Sequence, residues 1–372
     1  MQFLPLCAYL LKTLIMTNTI QTSDYPIIIS DDISTHIDAF ISESNYSSIY
    51  ILMDENIMEH CWPKISQLTE TLKNAEILLI EAGESQKDIE IVIQLWQALS
   101  EYQADRSSLI INFGGGVISD LGGFIASTFK RGIDFINIPT SLLAMVDAGV
   151  GGKTGINLEQ YKNQIGLFSH PQAIFIQYDF LKTLDDKHLK NGYAEMLKHG
   201  IIADEQLWNS LKEITKITTE NIVPYINKSI QIKVNIVEQD PLEKGLRKAL
   251  NFGHTIGHLI ETFSLKNDKI PILHGEAVAI GMIVESYLSM TKSTLEKNQF
   301  NAIKKYLTSL YDKYNIPDIF WLEYERIINQ DKKKDGKKLN FTFVNRIGTA
   351  DINQDCSLEE IKEAIIYYKE NC

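Results

Sequence analysis

In the first half of the chain, short runs of aliphatic and β-branched residues recur at intervals: YPIIIS at 25–30, SIYILMD at 48–54, AEILLIE at 75–81, SLIINF at 108–113, DFINIP at 134–139 and AIFIQ at 173–177. Helical or glycine-rich stretches separate them. That alternation predicts βα units around a largely parallel sheet. Beyond about residue 180 the period becomes helical, over 188–200, 205–216, 221–238, 246–264, 275–291 and 295–314. One β-like piece, LNFTFVN at 339–345, interrupts it. The expected organisation is an α/β nucleotide-binding domain at 16–180, followed by a mostly α-helical domain at 181–372.

One helical stretch, GLRKALNFGHTIGHLIETF at 245–263, carries more polar chemistry than a core helix needs. At about 100° per residue, Arg247, Asn251, His254, His258 and Glu261 fall within a narrow arc. Ala249, Phe252, Ile256, Leu259, Ile260 and Phe263 fall opposite. Most amphipathic helices show such a stripe to solvent. Solvent faces favour Lys and Glu, however, and Gly253 and Gly257 lower helix propensity where they stand. A site is the better reading, with the glycines letting another element approach.

Composition narrows the classes. The 372 residues, 44% hydrophobic and 23% charged, are enough for two domains with their own cores. A formal net charge of -12 argues against bulk binding of nucleic acid or an anionic membrane. An anionic substrate would need a local basic pocket. The cysteines, Cys7, Cys61, Cys356 and Cys372, are scattered without a CxxC pair. That suits a reducing cytoplasm and makes cysteine-ligated zinc a poor reading. The apolar start MQFLPLCAYLLKTLI lacks a basic lead and a small-x-small cleavage site, and Lys12 interrupts it. It reads as an extended start at 1–15, with the chain proper beginning near Met16. No later segment holds the roughly 20 uninterrupted apolar residues of a membrane span.

Two glycine-rich stretches suggest anion binding. SLIINFGGGVISDLGG puts three glycines between a strand and a helix expected to start near Ser119. Such a turn lets backbone approach a pyrophosphate at a helix N-terminus, as in Rossmann-like domains. The GxGxxG pattern itself fails, because Ser119 stands where its third glycine belongs. DAGVGGKTG is similar to a P-loop, but Asp147 takes the place of the first required glycine. Lys153 there reads as an anion contact in a glycine-rich loop, not as part of a triphosphate hydrolase.

In KNGYAEMLKHG, 190–200, helical spacing puts Asn191, Glu195 and Lys198 on one side. Taken alone, Glu195 and Lys198 would be a surface i,i+3 pair worth about 0.2–0.5 kcal/mol. With His254, His258 and His274 also unexplained, a metal centre of two imidazoles and one carboxylate gains weight. HExxH is not met, since Thr255 replaces the glutamate. Spacing alone leaves open which two histidines would bind.

The blocks GGGVISDLGGFIASTFKRG, INIPTSLLAMVDAGVGGKTGIN, YAEMLKHG, GLRKALNFGHTIGH and LHGEAVAIGM, in that order, resemble the 3-dehydroquinate synthase family of sugar-phosphate cyclases. The resemblance runs from about residue 25 to about 350. It implies a cytoplasmic, homodimeric lyase of the shikimate pathway, using NAD and Zn2+ or Co2+, with no nucleic-acid or membrane partner. Its substrate would be a phosphorylated sugar acid, 3-deoxy-D-arabino-heptulosonate 7-phosphate, converted to 3-dehydroquinate and phosphate with transient NAD redox. Glu195, His254 and His274 match the family's metal ligands, and His258 a histidine on the substrate side. Lys153, Lys198, His258 and Asp147 match catalytic positions. Arg131, Asn163, Lys233, Arg247 and Asn251 match substrate-binding positions, joined by one lysine of the 332–334 run. Asp54, Glu84, Lys87, Gly115, Gly116, Asp120, Thr140, Ser141, Lys153, Lys162 and Thr183 match NAD-binding positions.

This chain departs from the family pattern with Ala148 and Gly149, where serines are frequent, and with the lead-in DPLEKGLR, which keeps Glu243. Sister cyclases acting on sedoheptulose 7-phosphate or glucose 6-phosphate are the nearest alternative. They lack a substrate carboxylate, which the basic set around Lys233 and Arg247 suits. A glycerol-dehydrogenase-type oxidoreductase would accumulate NADH and release no phosphate. A non-catalytic nucleotide-binding protein would not need the metal triad.

Overall fold

The computed structural model describes residues 17–159, 161–321 and 340–372. The expected extended start and the 332–334 lysines lie outside them. The main sheet holds β1 (Thr17–Gln21), β2 (Pro26–Ser30), β3 (Ile49–Asp54), β4 (Glu76–Ile80), β5 (Leu109–Gly114), β6 (Asp134–Pro139) and β9 (Ile174–Ile176). Their order is β1-β2-β9-β6-β5-β3-β4. Every pairing is parallel except the edge pair β1–β2. All six expected strands are present. The edge strand β1 was not expected, and neither was the antiparallel hairpin β7 (Lys153–Leu158) and β8 (Tyr161–Phe168). Lys153 thus opens a strand instead of sitting within a loop.

Crossover helices α1 (Ser34–Ser42), α2 (Glu55–His60), α3 (Trp62–Ile65), α4 (Ile89–Glu101) and α5 (Gly116–Thr128) link the strands. The helical part follows as α6 (Asp186–Ala203), α7 (Glu205–Leu211), α8 (Thr219–Gln239), α9 (His254–Asn267), α10 (His274–Lys292) and α11 (Lys297–Leu310). The hairpin β10 (Asn340–Arg346) and β11 (Thr349–Asp355) and a last helix, Leu358–Asn371, complete it. No helix among the described residues is long and apolar enough to cross a membrane.

Side chains alternate across the sheet as period 2 requires. Tyr50, Leu52 and Ile110 join α4 and α5 in one core. Ile51, Met53, Ile111 and Phe113 face the other way, into a core that continues without a break through α6, α8, α9 and α10 to Tyr368. The helical part therefore packs directly against one face of the sheet.

Three helix boundaries correct the sequence reading. The stretch 246–264 is not one helix: a 3-10 turn, Leu246–Asn251, ends before Phe252, and α9 starts afresh at His254. Gly253 between them takes a left-handed φ of 79°, open to glycine and strained for other residues. The single arc from Arg247 to Glu261 thus belongs to two elements. The helix after the glycine turn begins at Gly116, not near Ser119. The stretch 205–216 is helical only to Leu211.

Candidate active site and metal centre

Glu195 and Lys198 are not a surface pair. Both side chains are buried, at 0% and 1% exposure, with Lys198 Nζ 2.5 Å from Glu195 Oε2. Lys198 also donates to the Leu250 carbonyl at 2.8 Å. Glu195 Oε1 lies 3.4 Å from His254 Nε2 and 3.5 Å from His274 Nε2. These separations are long for hydrogen bonds, and neither Glu195 oxygen has an aligned hydrogen-bond donor among the described residues. Both rings turn Nδ1 the other way: His254 Nδ1 faces the Phe252 carbonyl at 3.1 Å, and His274 Nδ1 faces Glu261 Oε2 at 3.2 Å. Carbonyl and carboxylate only accept, so each Nδ1 carries hydrogen and each Nε2 is the nitrogen offered to Glu195.

One carboxylate and two imidazoles, from α6, α9 and α10, thereby converge on one point. His258 stands beside them, its ring 5.1 Å from that of His254 and 5.7 Å from that of His274. One ligand atom each from His254, His258 and His274 lies within 4.8 Å of the others, so His258 borders the same point.

Electrostatics keeps these groups in mixed charge states. Burial alone would neutralise Glu195, but Lys198 and then His254 hold its pKa well below the ordinary value. Burial also works against charge on His274, yet the carboxylates of Glu195 and Glu261 beside it outweigh that and raise its pKa to about 10. His258 goes the other way, held near 3 by the surrounding protein and then by the neighbouring imidazoles. It is neutral at physiological pH.

Glycines explain how three helices come so close. A Cβ on Gly281 of α10 would overlap the Gly253 carbonyl oxygen and sit 2.8 Å from Gly257 N. A Cβ on Gly275 would overlap the backbone of Asn191 in α6. Asn191 holds that approach by accepting from Gly275 N at 2.5 Å. The start of α9 lacks a capping side chain of its own. Glu285, buried in α10, supplies the acceptor instead, at 2.7 Å from Gly253 N and 3.1 Å from Ile256 N.

A basic wall stands on one side of the cluster. Lys233 Nζ reaches Asp147 Oδ1 at 2.5 Å and its carbonyl at 2.6 Å. Burial favours the neutral acid, but Lys233 and Lys198 hold Asp147 well below its ordinary pKa. Arg247 donates to the carbonyls of Pro241 (2.6 Å) and Gly151 (2.8 Å), and its buried Nε has no partner among the described residues. Glu243 pairs with Lys153 and accepts from Asn251 at 2.6 Å.

The expected NAD residues collect at the carboxyl ends of the parallel strands. Asp54 ends β3, Gly115 and Gly116 follow β5, Thr140 and Ser141 follow β6, and Thr183 lies beyond β9. The chain runs from β3 outward to β4, then returns to β5 on the other side of β3. Such a switch point opens a crevice where α/β sheets bind nucleotides. Gly115 precedes α5 with no side-chain cap, so backbone N–H groups face that crevice. The packing glycine absent at Ser119 is supplied by Gly122, where a Cβ would overlap the Asn112 amide. Lys87 Nζ bonds Asp120 at 2.7 Å and Asn163 at 2.5 Å. Lys162 Nζ lies 3.5 Å from Glu84 and 2.7 Å from Glu261.

Two residues stand apart from the expected grouping. Arg131, matched to substrate, lies in an exposed turn with φ 73°, lining an open hollow with Asp105, Arg106, Ser107 and Lys130. Among the described residues it joins neither cluster. Asn163 sits with Lys87 and Asp120 on the cofactor side instead of beside Arg247. Two buried groups at the site carried no expected role. His199 has Nδ1 2.8 Å from Ser229 and an unpartnered Nε2, and its ligand atom lies within 4.8 Å of Asp147 and Glu195. Glu285 had one available signal, an acid inside the apolar run GMIVESYL.

Residues 77–191 match the family described as 3-dehydroquinate synthase N-terminal, and residues 192–334 match 3-dehydroquinate synthase C-terminal. A relative from Parabacteroides distasonis, 3-dehydroquinate synthase, is 41% identical over 356 residues, covering 94% of this chain and 99% of its own. The fold is also that of 2-epi-5-epi-valiolone synthase from Streptomyces hygroscopicus, solved with NAD+ and Zn2+ bound, at TM-score 0.81 and 24% identity. That match covers 96% of this chain and all of the other, 100%. A 2-deoxy-scyllo-inosose synthase, solved with carbaglucose-6-phosphate, NAD+ and Co2+, aligns at TM-score 0.80 and 22% identity, over 96% and 100% of the two chains.

Proposed function

The chain belongs to the 3-dehydroquinate synthase family, and from that premise we propose that the cluster around Glu195 is where it converts 3-deoxy-D-arabino-heptulosonate 7-phosphate to 3-dehydroquinate and phosphate. The carrying observation is a fully buried carboxylate without aligned donors, faced by two imidazole nitrogens at 3.4 and 3.5 Å. A carboxylate with two imidazoles is a donor set that Zn2+ or Co2+ accepts while keeping positions open for substrate. Glu195, His254 and His274 would hold it, and the strand ends from Asp54 to Thr183 would hold NAD. When bound, the ion supplies Lewis-acid polarisation of substrate oxygens, and NAD a reversible hydride acceptor.

The protein's own groups do the rest. Arg247 is pinned by two carbonyls with Nε unmatched, which is a ready donor for a carboxylate or phosphate oxygen. Lys153, Lys198 and Lys233 add cations around the same space, each now held by a carboxylate that substrate oxygens would relieve or share. His258, neutral and beside the ligands, can accept a proton from a substrate hydroxyl at Nδ1 or Nε2. Fixing one conformer of the acyclic carboxylate left after phosphate departs, held between these groups, favours ring closure through orientation. Asn163 and Lys87 belong on this reading to the cofactor side.

On this reading the labour divides in two: residues up to about 180 hold NAD, and the helices from 181 onward hold metal and substrate. We also read the enzyme as a cytoplasmic homodimer. The family supports the dimer, and the hairpin's exposed Leu158, Ile165, Leu167 and Phe168 offer apolar surface for one. The free thiols of Cys61, Cys356 and Cys372 suit a reducing compartment.

The decisive experiment supplies the heptulosonate phosphate with trace NAD and follows phosphate release. Many turnovers per NAD, abolished by chelation and restored by Zn2+ or Co2+, are expected. Stoichiometric NADH without phosphate would instead mark a dehydrogenase, and faster phosphate release from sedoheptulose 7-phosphate a sister cyclase.

A further inference from the structure

Glu261 lies outside the ligand set and the basic wall, yet it is 2% exposed and placed between them and the cofactor side. Its Oε2 faces His274 Nδ1 at 3.2 Å, and its Oε1 takes Lys162 Nζ at 2.7 Å. Lys162 belongs to the second strand of the β7–β8 hairpin and lies 3.5 Å from Glu84. Its neighbour Asn163 bonds Lys87 through its side chain and Asn157 through its backbone N–H. A carboxylate in this position would be costly without partners on both sides, and it has one on each.

We propose that Glu261 is a positioning residue for the metal centre: it orients the His274 ring through Nδ1, and Lys162 fixes Glu261 in turn. The inference rests on the metal reading above. The two imidazole ligands differ here. His254 is oriented by the Phe252 carbonyl two residues away, just before its own helix start. His274 heads α10 and has no such local acceptor, so its orientation is set by a side chain from α9. A carboxylate behind a ligand imidazole also makes that ligand more basic, and its loss typically weakens metal binding by about 10- to 100-fold. The plainer account is that Glu261 only neutralises Lys162. That account predicts a change in stability without any change at the metal.

The test uses the full-length protein, stripped by chelator and titrated with Co2+ under visible absorption, with Zn2+ added in competition. Glu261→Gln keeps length and an acceptor oxygen but loses charge; Glu261→Met loses both. Expected are Co2+ dissociation constants about 10-fold weaker for Gln and nearer 100-fold for Met, with altered ligand-field bands. The thermal midpoint of each metal-free variant reports separately on folding. Wild-type Co2+ affinity and spectrum in both variants would overturn the proposal. Glu195→Gln is the control: if it binds Co2+ as tightly as wild type, the metal reading itself is wrong and this inference falls with it.

Discussion

The two walls of the site are built differently. Along the strand ends, the chain offers mostly backbone: Gly115, Gly116, the uncapped start of α5 and the turns after β6 and β9. Across from it, the helical wall offers side chains, with Glu195, Lys198, Lys233, Arg247 and His254 buried and needing partners. Backbone at a sheet edge is positioned by hydrogen bonds that any apolar strand sequence can make. The helical wall depends on particular atoms on three helices meeting within 3.5 Å. The first wall tolerates changes of side chain; the second tolerates few.

Glu195→Gln should produce the largest effect. It removes a proposed ligand and leaves Lys198 buried without its counter-charge, a change that costs about 3–5 kcal/mol in comparable buried pairs. Metal content by mass spectrometry and thermal unfolding should both fall. Retention of one metal ion per chain would break the contrast between the walls.

Gly281→Ala should come next. Its methyl meets the Gly253 carbonyl, and backbone there cannot swing aside. Overpacking of this kind costs about 1–3 kcal/mol, and the upper end is expected. Because α9 and α10 carry His254 and His274, metal affinity should drop with stability. Gly122→Ala sharpens the comparison on the sheet side, where the methyl meets side chains, the Asn112 amide and Leu52, and no backbone. The lower end of the same range is expected. NAD affinity by fluorescence titration should weaken while metal content stays at wild-type level.

Lys153→Ala should hardly change stability. Its side chain is 51% exposed, and such pairs contribute about 0–1 kcal/mol. Its effect should appear in KM for the phosphorylated substrate. An unchanged KM would remove Lys153 from the substrate wall.

Much of the sheet was legible because a strand covered on both faces writes itself as an apolar run, as β3, β5, β6 and β9 do, while β2 and the edge strand β4 are apolar with some positions open. The hairpin was not, because glycines and polar residues break up the apolar positions of Lys153–Leu158 and Tyr161–Phe168, and the two strands pair with each other instead of with the sheet. The family motifs pointed to Glu195, His254 and His274 as ligands, and the structure brings those three side chains together. The helical wheel placed Glu261 on the right face but could assign it nothing, since its partners come from residues 162 and 274. The wheel also misjudged continuity. A left-handed Gly253 is invisible to a periodicity that simply counts 100° per residue. Arg131 follows the motif, yet the fold carries it to a remote turn, which sequence order alone could not show.

The apolar mass beneath the sheet runs on into the helices as far as Tyr368. A chimera joining the sheet half of one relative to the helical half of another would have to match the side chains that interlock along that boundary. Recombination at residue 180 should therefore yield insoluble chains far more often than a conventional two-module enzyme would.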